Sequence, residues 1–301
     1  MIQSISSDAQ RFLSTMASLN DRLDRVQQQV ASGKRLTKSS DEPDSVTQLL
    51  SVRAQLARVE QTQSNLSRVK TEVDTAEASL EAAVSLYDRV RTLGMTGAGT
   101  NQTAQTRQTI ADELGGILER MVGLANTSVD GRYVFSGDTD QQTPFSYDGT
   151  AVPPWGVYQG SVSTRQTMHP LGVTYAIATD GQEIFDNADP ARNVFATIDT
   201  LRNALLSNDD AAIKAAVEPL AGVSSHLNSM LSFYGNVQSQ TSDATNTASK
   251  MKVQLETQLS ATEDADITQA IVELQQLRFN QQAALQVRGS MPQQTLFDYL
   301  K

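Results

Sequence analysis

The chain has 301 residues, 39% of them apolar and only 5% aromatic, apolar enough to fold yet thin in the large side chains that fill a compact core. With 24 basic against 34 acidic residues the net charge is −10, and no basic stripe remains for nucleic acid. There is no cysteine, which removes disulfide scaffolds, thiolate–zinc sites and thiol nucleophiles, and fits a protein that ends up outside the cell.

The N-terminus has no basic segment followed by an apolar run, so no cleavable signal peptide is expected. Nowhere do 18 consecutive apolar residues occur, so no membrane insertion is expected. From Ile2 the chain carries a heptad seam: Ile2, Ile5, Ala9, Phe12, Met16, Leu19, Leu23, Val26 and Val30 alternate at spacings of three and four. That is a coiled-coil pattern rather than a globular-helix one. Gly33 stops it, a polar turn is expected from Thr37 to Glu42, and Pro43 opens the next helix.

The second helix holds one seam from Leu49 through Val52, Leu56, Val59, Gln63, Leu66, Val69, Val73, Ala76, Leu80, Ala83 and Tyr87 to Val90. At 1.5 Å per residue it is a rod of roughly 70 Å. Gly94, Gly97 and Gly99 are expected to break it. A third helix, marked by Ile110, Leu114, Ile117, Met121 and Leu124, runs to about Val129.

The middle changes character. Five of the eight prolines and half of the aromatics gather there. Tyr133 to Phe135, Phe145 with Tyr147, Val157 with Tyr158, and Val173, Tyr175 and Ile177 read as short strands ending at Gly-containing turns. Helices then resume with the stripe Val194, Ile198, Leu201 and Leu205. Another opens at Ile213 and Val217 and continues through Leu220, Leu227 and Tyr234. The last carries Ile267, Ile271, Leu274 and Leu277, then Gln281, Ala284 and Leu285.

The expected fold is mainly α: a long coiled-coil-like helical bundle formed by the N- and C-terminal arms, with a small inserted β-rich domain. Residues 1–40 and 262–301 form a terminal coiled coil, 41–132 and 190–261 a helical rod, and 133–189 the inserted domain. Apolar seams that run to both ends, as far as Leu296 and Leu300, favour assembly over a purely internal core. Of 29 glutamines, ten follow residue 250, and Gln can bond across packed helices without adding charge repulsion.

No chemistry stands out. His169 and His226 lack a second ligand at helical spacing, so no metal is expected. Glu263, Asp264 and Asp266 are read as favouring the positive end of the helix near Ile267. Gly94-x-x-Gly97-x-Gly99 has neither a preceding strand nor a Gly-Lys-Ser or Gly-Lys-Thr step, and is read as a turn. No catalytic residue and no cofactor is expected, and the chain is not expected to be an enzyme.

Several short runs resemble the flagellin family. Ser32-Gly33-Lys34-Arg35-Leu36 followed by Asp41-Glu42-Pro43 resembles its N-terminal signature. Tyr87-Asp88-Arg89-Val90-Arg91-Thr92-Leu93 resembles a segment of its second helix, and Thr262-Glu263-Asp264-Ala265-Asp266 a step near its C-terminus. Within the family, Asn126 to Asp138, containing Gly131-Arg132-Tyr133-Val134-Phe135-Ser136-Gly137, resembles the hook–filament junction proteins rather than the filament flagellins.

The resemblance implies a structural subunit of the bacterial flagellum, an adaptor joining hook to filament; the alternative is a filament-forming flagellin. It implies a ring of identical subunits, contact with hook-associated protein 1 and with flagellin, and help from an export chaperone and the type III export apparatus. The location it implies is extracellular, on the flagellum, reached without a cleaved signal peptide. Its assembly seam would comprise Ile5, Phe12, Met16, Leu19, Leu23, Val26, Val30, Ile267, Ile271, Leu274, Leu277, Leu296 and Leu300.

Overall fold

The computed structural model describes residues 2–35, 43–162 and 165–290, with side chains from residue 9 at the N-terminus and from residue 45 after the first gap. The chain divides into two compact units, 1–58 with 251–301, and 59–250. The expected turn from Thr37 to Glu42, motif residue Asp41 and seam residues Leu296 and Leu300 lie outside the described residues. Ile5 and Pro43 are placed by their backbone only.

In the first unit, α1 (Ile2–Ser32) packs against α8 (Ile267–Ser290). The heptad seam of α1 is the buried face: Leu23 and Val26 meet Ala270 and Leu277, with Leu19, Val30 and Leu274 at the margin. Polar side chains fix the pairing along its length. Gln281 Nε2 donates to Asn20 Oδ1 at 2.8 Å, and Arg22 Nη2 lies 3.2 Å from Glu273 Oε1. Gly33 ends α1 at φ +72°, a left-handed conformation that glycine adopts without a Cβ penalty. The unit also takes the start of α2 (Pro43–Gly97), with Leu49 and Val52 buried, and the end of α7 (Leu220–Glu263), with Leu255 buried.

The second unit holds the rest of α2 and α7. With 55 residues α2 is about 82 Å long, longer than the seam implied. Its buried line runs Val59, Leu66, Val73, Ala76, Leu80, Ala83, Tyr87 and Val90. Gln63, a polar member of that seam, donates to Ser249 Oγ at 3.1 Å on α7. Helix α3 (Ala104–Ala125) begins at Thr103, whose hydroxyl accepts from the Thr106 amide, and buries Ile110, Leu114, Ile117 and Met121. It packs on α5 (Val194–Ser207).

Of the three glycines expected to break the helix, Gly97 ends α2 and Gly94 does not interrupt it. Gly94 lies inside α2, and a Cβ there would meet Leu201 and Leu220 at 3.0 Å. At Gly97 a Cβ would lie 2.5 Å from Leu205 Cδ2. These positions let α2 approach α5 and α7 closely. The helix expected to open at Ile213 is two: α6 (Asp210–Val217) and α7, interrupted at Pro219, which lacks an amide to donate. The third helix ends at Ala125, four residues early, because Asn126 turns its side chain onto Phe145: its Nδ2 donates to the carbonyl at 2.7 Å and its Oδ1 accepts from the amide at 3.0 Å.

The middle segment contains two short antiparallel ribbons. One pairs β1 (Ser128–Val129) with β2 (Arg132–Tyr133); the other pairs β3 (Gln166–Met168) with β4 (Thr174–Ala176). Of the strands expected at Phe145 with Tyr147 and at Val157 with Tyr158, the first is reduced to a bridge from Tyr147 to Trp155 and the second is not formed, and Gly181–Phe185 is a short helix, α4, capped by Asp180. Side chains replace strand partners here: Ser136 Oγ donates to the carbonyls of Thr139 and Gln142. An aromatic cluster supplies the cohesion. Phe185 stacks on Phe195 of α5 at 5.8 Å, and Phe135 meets Phe185 and Tyr234 of α7 edge-on at 5.5 and 6.1 Å.

Candidate functional site

The N-terminal and C-terminal motifs come together in the first unit. Lys34 and Asp264 form an isolated antiparallel bridge. The Arg35 amide donates to the Glu263 carbonyl at 2.7 Å, and the Ala265 amide to the Gly33 carbonyl at 2.9 Å. Arg35 Nη2 donates to the Thr262 carbonyl at 2.9 Å. At the centre lies the buried carboxylate of Glu263, held by Lys34 Nζ and, at 2.7 Å, by Arg53 Nη2 of α2. One side chain thus ties the end of α1, the start of α2 and the break between α7 and α8.

This differs from the helix-end role expected of the acidic trio. Asp266 does cap α8, accepting from the Gln269 amide at 3.0 Å, and Asp264 accepts from Ser260 Oγ. Glu263 is a charge hub, and Arg53 was not singled out at all. The two are 210 residues apart, and no spacing within either motif hints at the pair.

Burial pushes the Glu263 carboxyl up, but the hydrogen bonds and charges of Lys34 and Arg53 outweigh it, and its pKa falls below the ordinary 4.5. A carboxylate depressed on folding contributes stability that is present above its unfolded pKa and lost as pH falls through the folded one. Wild type should therefore be more resistant to denaturant than Glu263→Gln at neutral pH. That advantage should shrink below about pH 4.5. A difference in midpoint that stays constant down to about pH 3 would contradict the role given to Glu263.

The motif residues in the second unit are structural in identifiable ways. Asp130 and Gly131, at φ +51° and +77°, make the two-residue turn between β1 and β2. Arg132 pairs with Asp140, and the Tyr133 amide donates to the Asp140 carbonyl at 2.8 Å. Phe135 sits in the aromatic cluster with no exposure. At Gly137, φ is +62° and a Cβ would lie 2.2 Å from the Ser161 carbonyl oxygen. In the earlier motif Arg89 forks onto Glu113 of α3, at 2.7 and 3.1 Å, whereas Arg91 pairs one turn back with Asp88 at 3.4 Å.

Of the seam residues, Leu23, Val26 and Leu277 are buried and Phe12, Met16, Leu19, Val30 and Leu274 are partly buried. Ile267 and Ile271 lie outside the α1–α8 contact and are 39% and 41% exposed. Ala270 is the residue of this stretch that joins the contact. Among the described residues no group of three or more His, Cys, Asp and Glu is gathered, and no helix is long and apolar enough to cross a membrane.

Charge divides sharply between the units. Residues 1–58 and 251–301 carry 12 of the 24 basic and 12 of the 34 acidic side chains, so they are neutral and the whole −10 falls on 59–250. The neutral unit can approach copies of itself without net repulsion.

Two family models match the chain: the bacterial flagellin N-terminal helical region over residues 4–140 and the C-terminal helical region over 217–300. Flagellar hook-associated protein 3 of Salmonella typhimurium is 27% identical over 252 residues, 73% of each chain. The crystal structure of Bacillus cereus FlgL shares the fold with a TM-score of 0.58 at 22% identity, covering 70% of this chain and 99% of that one. The flagellar junction protein FlgL from Legionella pneumophila does so with a TM-score of 0.50 at 14% identity, covering 67% and 99%.

Proposed function

The chain belongs to the flagellin family, and on that footing we propose that it is a structural adaptor of the bacterial flagellum, joining the hook to the filament. The observation that carries this is the likeness to a hook-associated protein over 252 residues. A match of that length passes through the middle segment, which both flagellin models leave in part unmatched. The Gly131–Gly137 step lies just before the unmatched stretch, and its two turn glycines and buried Phe135 fix the β1–β2 ribbon on the helices.

In this reading copies of the chain form a ring, with hook-associated protein 1 on one side and flagellin on the other. The chain leaves the cell through the type III export apparatus with a chaperone. The seam residues Phe12, Met16, Leu19, Leu23, Val26, Val30, Leu274 and Leu277 hold α1 to α8 so that the pair enters the assembly as a unit. Ile267 and Ile271 face neighbours. The role is structural and assigns the chain no reaction.

Deleting the gene tests the adaptor role. The expected phenotype is hooks without filaments by electron microscopy, with flagellin released into the medium. Filaments of normal length and number on the deletion strain would refute it.

A further inference from the structure

The second unit holds more acid than its own bases can pair. Of its 12 basic side chains at least eight already lie within ion-pair distance of a carboxylate of the same unit, among them Lys70 with Asp74, Arg89 with Glu113 and Arg165 with Glu72. Glu81, Glu119, Asp130, Asp138, Asp148 and Glu218 are exposed and enter no ion pair among the described residues. They stand on α2, on α3, in the β1–β2 turn, in the middle segment and after α6. The surplus is therefore spread over the surface of the unit rather than gathered at one site. It is densest in the middle segment, where residues 133–189 hold seven acidic side chains against Arg165 alone, −6 of the −10.

We propose that the 59–250 units of neighbouring copies repel one another, so that the surrounding salt sets how completely the ring of copies fills. The inference rests on the assembly proposed above and adds what opposes it. Identical surfaces of one sign do not steer onto each other. A copy whose basic side chains are mostly paired internally has few to offer the next. Repulsion therefore grows as the ring fills, because each new copy meets more like charge than the one before. Screening decides how far it reaches. The field of each unit extends about 30 Å at 10 mM salt but about 8 Å at 150 mM. The first distance is wider than two packed helices, the second narrower than one.

The test adds purified full-length chain to hooks isolated from the deletion strain and measures copies bound per hook against concentration, at about 10 and 150 mM sodium chloride. The comparison protein carries Glu81→Gln, Glu119→Gln, Asp138→Asn and Glu218→Gln, amides at exposed positions that lower the surplus without removing a paired charge. Circular dichroism checks that both proteins keep the same helix content at both salts. For wild type the half-saturating concentration should fall about tenfold or more from low to high salt. Its low-salt isotherm should also be the broader one, later copies binding more weakly than earlier ones. The variant should bind more tightly than wild type at low salt and respond to salt by about threefold or less. An isotherm that shifts with salt but keeps its width would put the repulsion between chain and hook and overturn the inference. So would a half-saturating concentration that stays constant or rises with salt, or a folded variant that responds as wild type does. The width of the wild-type isotherm decides the matter even if the variant loses helix. A chain that binds no hook at either salt would refute the adaptor reading and the inference with it.

Discussion

Replacing Leu23 by Asp should part α1 from α8 while leaving the aromatic core of residues 59–250 folded. Leu23 is one of four buried side chains in that contact, and the others, Val26, Ala270 and Leu277, offer a carboxylate no partner. An unpaired buried charge costs about 3–5 kcal/mol, more than so small a cluster can absorb. Far-ultraviolet circular dichroism should show a loss of helix. The near-ultraviolet spectrum, dominated by Trp155 and the tyrosines around it, should be unchanged, because those residues lie in the other unit. In cells the variant should be exported and fail to incorporate. A Leu23→Asp strain with normal filaments would show that this seam does not hold the assembly.

Gly137→Ala should destabilise the second unit by about 3 kcal/mol or more. Part of this is the left-handed backbone at φ +62°, which costs an L-residue about 1–2 kcal/mol. The rest is the 2.2 Å approach of the new Cβ to the Ser161 carbonyl, where backbone rather than a flexible side chain must give way. For a unit of this size the shift in Tm should be about 6–12 °C. Gly131→Ala is the internal control: its φ is +77°, yet nothing lies within 4 Å, so it should lose only the conformational part. Equal losses at the two positions would show that close approach to Ser161 is not what excludes a side chain at Gly137.

The heptad pattern of α1 was legible almost residue by residue because its apolar positions are large and its intervening ones polar. The pattern of α8 does not show which of its apolar residues meets α1. Ile267 and Ile271 dominate the sequence, but Ala270, small and quiet in any hydrophobic count, is the residue that meets α1. A helix with apolar residues on several sides has no single period to read. In the middle segment, alternation at Phe145 and Tyr147 suggested a strand, whereas the Asn126 side chain takes the backbone bonds a strand partner would. Helix α4 was hidden for a similar reason: Asp180-Gly181 looks like a turn, but the Asp180 carboxylate accepts from the Glu183 amide and starts a helix.

The hub at Glu263 was illegible for another reason. Both motifs it joins were visible, as Gly33-Lys34-Arg35 and Glu263-Asp264, but their meeting is a property of how α1, α2, α7 and α8 return to one place. Sequence spacing carries no information about a contact across more than two hundred residues. Charge did carry some: the terminal segments balance at 12 and 12, as a region built to pack on itself should.

The adaptor role is tested most directly by where the protein sits on isolated flagella. Gold-labelled antibody against the chain should mark one narrow band at the filament end of each hook, with the filament beyond it bare. Label distributed along the whole filament would contradict the account and make the chain a filament-forming flagellin.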